Sequence, residues 1–148
     1  MLNNLFPSSA DNRYQGHPLA LWLFLPLTCI TIVRSLIHIF RFDGGAQSIA
    51  TIPLDSFTPA GSAAVITLFA LWGLSQLLVG LLYLLTLIRY RTLLPLMYLS
   101  ILLEYLGRVS IGLYKPLETL QTPPGSPFSF VMILLGAVLL VLSLWQQK

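Results

Sequence analysis

The sequence predicts an all-α integral membrane protein, a four-transmembrane-helix bundle, and three observations predict it. Of 148 residues, 56% are hydrophobic and only 9% charged, against roughly 25% charged in an average soluble domain. The mean hydropathy is +0.82. Apolar runs of helical length recur at about 18–40, 60–88, 93–114 and 127–145, and each can cross a hydrocarbon core about 30 Å thick, which takes about 20 helical residues. Together they fill the chain as a single membrane domain, 1–148, with an N-terminal tail at 1–17 and two outer loops at 41–59 and 115–126.

Residues 1–17, with Asn3, Asn4, Pro7, Ser8, Ser9, Asp11 and Asn12, are polar and aperiodic and read as a loose tail from which Leu2, Leu5 and Phe6 dip into the interface. The first helix opens at His17-Pro18, because proline suits a first turn, and Pro26 within it predicts a bend. Leu27-Thr28-Cys29 has the outline of a lipoprotein cleavage site, but Thr28 stands where such a site takes Gly, Ala or Ser, and the span reads as a retained anchor. Cys29 is the only cysteine, which leaves no internal disulfide or cysteine zinc site and makes it a small buried apolar residue. Near the far end Arg34, His38 and Arg41 recur at i, i+4 and i+7, one stripe on one face.

The following loop holds Asp43-Gly44-Gly45, a turn signal, and then Ser48, Ile49, Ile52 and Leu54, too apolar for an exposed connection. We read Asp43, Gly44 and Gly45 as the start of a candidate lid over the bundle mouth. Thr58-Pro59 caps and opens the second helix, whose length exceeds the bilayer core, so it tilts or protrudes. On it Trp72, Gln76, Gly80 and Tyr83 share a stripe, with Gly73 beside it; the glycines allow close helix approach and Gln76 needs a polar partner. After helix three, Pro116–Gln121 is a short amphipathic candidate and Thr122-Pro-Pro-Gly125 a stiff turn. Ser126-Pro127 starts a fourth helix without ionisable residues, where Gly136 and Ser143 offer a small-residue stripe. Trp145 and the Gln146-Gln147-Lys148 tail mark an interface.

Helix three carries the chemistry. Glu104 and Arg108 lie four residues apart and share a helical face. Insertion costs roughly 2.5–3.5 kcal/mol for each ionised group at mid-membrane and returns about 0.3–0.6 for each Leu, Ile or Val. The eight Leu, two Ile and one Val between Leu93 and Leu113 about offset the pair, with nothing left for the serines and glycines. This helix needs partners. Arg34 of helix one falls at a matching depth, so Arg34, His38, Glu104 and Arg108, with Gln76 nearby and Tyr105, Tyr98 and Tyr114 lining it, form a candidate cluster of formal charge +1 when His38 is neutral.

Three readings of the cluster follow. It is a structural or partner-binding network that fixes helix register or recruits a membrane-protein partner or a second copy. Alternatively it is an outer-leaflet binding site for a quinone or lipid headgroup, with Arg34 and Arg108 as donors. The third reading is an intramembrane acid/base enzyme using Glu104 and His38. A small transporter assembled from several copies is a further class. His17 and His38 are the only histidines, which leaves no metal set, and there is no nucleophile motif or Gly-rich cofactor fingerprint. No cofactor is called for other than a quinone. The charge of +3 is spread over loops without a basic, aromatic-interleaved cluster, so the partner is the bilayer and not nucleic acid.

If all four spans cross, Arg13, Arg89, Arg91 and Lys148 share one side against Arg41 and Lys115 on the other. The positive-inside rule then places both termini in the cytoplasm of a bacterial inner (plasma) membrane. In length, four-span layout and an arginine in the first helix, here Arg34, the chain distantly resembles the DoxX-like family of small bacterial inner-membrane proteins, some of them linked to quinone-dependent electron transfer. The resemblance implies a lipid or quinone ligand and carries no functional residue across.

Overall fold

A computed structural model describes residues 2–145. Four helices are long and apolar enough to span a membrane: α1 (Pro18–Phe40), α2 (Pro59–Arg89), α3 (Leu94–Tyr114) and α4 (Gly125–Leu144). No strand occurs among the described residues. Their bounds lie within two residues of the expected ones, because the signals that set them are local. His17 Nδ1 accepts from the Leu19 N–H at 3.1 Å, and Thr58 Oγ1 accepts from Gly61 at 3.2 Å, each ahead of a proline whose missing N–H would be unsatisfied anyway. Pro26 sits inside α1 without ending it. At 31 residues, α2 is about 46 Å long and overruns a bilayer core.

The helices pair as two hairpins, α1 with α2 and α3 with α4, while α2 and α3 touch little along their lengths. Gly73 and Gly80 allow the first pairing. A Cβ on Gly73 would stand 2.7 Å from His38 Cβ, and one on Gly80 2.9 Å from Ile32 Cγ1. In the second pairing Gly136 faces Ile101 and Leu102 of α3. A core of Phe24, Tyr83, Tyr98, Ile101, Met132 and Leu139 joins all four helices, with the Phe24 ring 5.2 Å from Tyr83 and 5.3 Å from Tyr98. Leu68, Leu78, Ile111, Leu134 and many other large apolar side chains point outward, the surface a lipid-embedded bundle presents.

Three expectations need correction. The segment before α1 is no loose tail. After a single helical turn at Leu2–Leu5 it straps across the end of the bundle that carries the termini. Thr92 donates to the Asp11 carbonyl through its N–H (3.2 Å) and its hydroxyl (2.9 Å) and accepts from the Asp11 N–H at 3.0 Å, while the His17 N–H reaches the Leu142 carbonyl at 3.0 Å. Helix ends carry backbone groups without helical partners, and the strap bonds two such groups, the Leu142 carbonyl at the end of α4 and the Thr92 N–H ahead of α3. Pro116–Gln121 is not helical: the Leu120 N–H donates to the Thr51 carbonyl at 2.9 Å and the Thr51 hydroxyl to the Gln121 carbonyl at 2.7 Å, which spends its polar groups on the other loop. Cys29 is exposed on the outward face of α1, not buried. Residues 146–148 of the expected interfacial tail lie outside the described residues.

Candidate functional site

Arg34 links the two hairpins through polar contacts. Its Nε donates to Gln76 Oε1 on α2 at 3.1 Å, its Nη1 to the Tyr105 hydroxyl on α3 at 3.2 Å, and its Nη2 lies 4.0 Å from Glu104 Oε1. On α3 the i, i+4 spacing brings Arg108 back to the same carboxylate. Its Nε donates to Glu104 Oε1 at 3.0 Å, and its Nη2 reaches that oxygen too. The Arg108 guanidinium carbon stands 4.7 Å from the Trp72 ring centre and 5.4 Å from that of Tyr105, so α2 and α3, which otherwise barely touch, are bridged by a cation over an aromatic face. Two bases and one acid leave a net charge of +1, on side chains only 26% (Arg34), 33% (Glu104) and 23% (Arg108) exposed.

The arrangement is not fully satisfied. Gln76 is 5% exposed; its oxygen is taken by Arg34, and its Nε2 is buried without a hydrogen-bond partner among the described residues. Such a group costs about 1–3 kcal/mol. The second carboxylate oxygen of Glu104 also receives no hydrogen bond among the described residues. The cavity beside the cluster, walled by Thr31, Arg34, Tyr83, Glu104, Tyr105 and Phe128, measures only about 10 Å³, room for one water molecule.

Arg34, Gln76, Glu104, Tyr105 and Arg108 are therefore brought together as expected. His38 is not in that hydrogen-bonded set. Its Nδ1 is 2.7 Å from the Gly44 carbonyl, because the chain turns back at once after α1, and its ring stacks on Trp72 at 4.7 Å. Trp72 thus lies between His38 and Arg108. The sequence marked it only as part of a packing stripe, since an indole among leucines carries no sign that a cation will sit on it. Tyr98 and Tyr114 are elsewhere: Tyr98 donates to the Ala20 carbonyl at 2.6 Å deep in the core, and Tyr114 is 80% exposed. Arg41 leaves the stripe as well, its backbone extended at the helix end and its Nε 3.4 Å from Asp43 Oδ1.

The candidate lid is an ordered cap on the loop end of the α1–α2 hairpin. Gly44 and Gly45 have φ of +60° and +78°, the left-handed region that glycine enters without cost. That reversal buries Asp43, whose Oδ1 accepts from the Gly45 N–H at 2.9 Å and whose Oδ2 accepts from Ser48 at 2.7 Å. Burial pushes the Asp43 pKa up, but the hydrogen bonds from Ser48 and Gly45 outweigh it and hold the group below the usual carboxylate value. Ala46, Ile52 and Leu54 then form a small core on Val65, Ile66 and Phe69 of α2. Thr51, a β-branched residue at φ +56°, is held in that costly conformation by its two bonds to the other loop. No three His, Cys, Asp or Glu side chains gather into a metal-binding group among the described residues.

No family model matches the chain, and neither a curated protein nor a solved structure matches it.

Proposed function

We propose that the Arg34–Glu104–Arg108 network is an intramembrane clamp that fixes the register of the two hairpins and offers its uncompensated positive charge as a docking point for a partner membrane protein or a second copy. The reading rests on one observation above the others. Across the gap between α2 and α3, which touch little, Arg34 by itself reaches Gln76, Tyr105 and Glu104, and the cavity beside it holds no more than a water. His38, the partner an acid/base mechanism would pair with Glu104, is instead held by the Gly44 carbonyl, so acid/base catalysis is the weaker reading. We place both termini in the cytoplasm of a bacterial inner membrane, on the excess of Arg13, Arg89, Arg91 and Lys148 over Arg41 and Lys115.

A second reading keeps the same residues and changes the occupant. A quarter to a third of each charged side chain is open on the bundle's own surface, and the free Glu104 oxygen accepts a proton donor. A quinol or another lipid-soluble head bearing a hydroxyl would complete both from within the bilayer, in line with the DoxX-like likeness.

Native mass spectrometry of the wild type beside Arg34→Ala, released from mild detergent, tests the two. The clamp predicts a lower thermal midpoint for Arg34→Ala and the loss of any retained polypeptide or second copy. A retained small-molecule mass that disappears in the variant supports the second reading, and an unchanged midpoint and assembly in Arg34→Ala rejects the clamp.

A further inference from the structure

At the opposite end of the bundle the N-terminal strap borders an open cavity of about 400 Å³, within the size range of small-ligand sites, lined by Ser8, Ser9, Asp11, Arg13, Thr92 and Pro95 among others. It is independent of the charged cluster, which lies in the other half of α1 and α3.

The charges on its wall are unusual. Asp11 and Arg13 are two residues apart and opposite in sign, and both line it. They do not pair with each other, and neither forms an ion pair with any other side chain among the described residues. The backbone explains this. Asp11 is pinned through both its N–H and its carbonyl to Thr92, and its Oδ1 accepts from the Arg13 backbone N–H at 2.8 Å, so that oxygen is engaged by the main chain. One acid and one base thus line a single polar cavity without pairing, together with the hydroxyl-bearing Ser8 and Ser9 that precede them in the strap. The cavity adjoins Thr92, just ahead of α3, and Pro95 in its first turn, the level at which a spanning helix meets lipid headgroups.

We propose that this cavity binds a zwitterion made of a phosphate ester and a primary ammonium, the chemistry of a phosphoethanolamine headgroup, with Arg13 and the serine hydroxyls on the phosphate and Asp11 on the ammonium. Its net charge of zero disfavours a simple anion. A quaternary ammonium cannot donate the hydrogen bond that the free Asp11 oxygen accepts.

The test uses the full chain in nanodiscs containing equal parts of phosphatidylethanolamine, phosphatidylcholine and phosphatidylglycerol with identical acyl chains. Lipids retained on gentle release are counted by native mass spectrometry, and soluble phosphoethanolamine binding is measured in parallel by calorimetry. The expected result is preferential retention of the ethanolamine lipid, reduced about tenfold by Arg13→Gln and by Asp11→Asn, in keeping with loss of one charge-assisted contact. Asp11→Asn keeps the acceptor for the Arg13 N–H, and both side chains are outside the core, so thermal midpoints should match the wild type. Retention of the lipid identifies the membrane as the source; binding of the soluble headgroup alone identifies a free phosphate ester with the same recognition chemistry. Equal retention of all three lipids with no soluble binding, a preference for phosphatidylglycerol, or affinity indifferent to both substitutions overturns the proposal.

Discussion

The Arg108 guanidinium carbon lies 4.7 Å from the centre of the Trp72 ring, and this contact joins α2 to α3 where the two helices are otherwise apart. In a bilayer the cation is poorly solvated, so the contact is worth up to about 2 kcal/mol. Trp72→Leu should lower the unfolding free energy in detergent by that order, with a lower thermal midpoint, and Trp72→Phe should fall between the two. The ring also supports His38, so a loss confined to the α3 side is not expected. A Trp72→Leu variant as stable as the wild type would remove the aromatic bridge from the account.

Glycines on the two hairpins should respond in opposite ways. Gly73→Ala places a methyl 2.7 Å from His38 Cβ and 3.0 Å from the Ser35 carbonyl, contacts relieved only by moving the helices apart, at a cost of about 1–3 kcal/mol. Gly107→Ala meets nothing within 4 Å and should be neutral or stabilising by up to about 1 kcal/mol through helix propensity. Paired unfolding curves decide both.

The Asp43 turn carries a pH dependence of definite sign. Its native pKa is lower than the unfolded one, which is about 3.9, so the stabilisation is present in full above the unfolded value and is lost as pH falls through the native one. Hydrogen-exchange protection of the Gly45 and Ser48 amides, corrected for intrinsic rates, should hold from pH 7 to about 5 and decline only below about 4. In Asp43→Asn that protection should be low at every pH.

Thr92 holds the N-terminal strap by three hydrogen bonds to Asp11. Thr92→Val removes the two made by its hydroxyl, each worth about 1 kcal/mol. Opening of the strap should rise by about tenfold or more, read as faster tryptic cleavage after Arg13 while the helical core stays protected.

The sequence reveals the spans because bilayer crossing imposes long apolar runs, and it reveals Arg34, Gln76, Glu104 and Arg108 because polar groups in such runs must find one another. What it conceals is set by backbone groups and by neighbours across the fold. The strap has no hydrophobic period because its contacts are hydrogen bonds to helix ends such as Leu142. His38 shares a stripe with Arg34, yet the turn at Gly44 and Gly45 supplies a nearer carbonyl. Pro116–Gln121 has the composition of a helix, and Thr51 takes its hydrogen bonds instead.

The central claim, that Arg34 clamps the hairpins through α3, is tested most directly by a double-mutant cycle of Arg34→Gln and Glu104→Gln in reversible unfolding from detergent micelles. The clamp predicts a coupling of at least about 0.6 kcal/mol, the average for polar contacts between membrane helices, whose maximum is about 1.7 kcal/mol. Effects that add to within about 0.3 kcal/mol would contradict it and leave Arg34 and Glu104 as neighbours without a shared role.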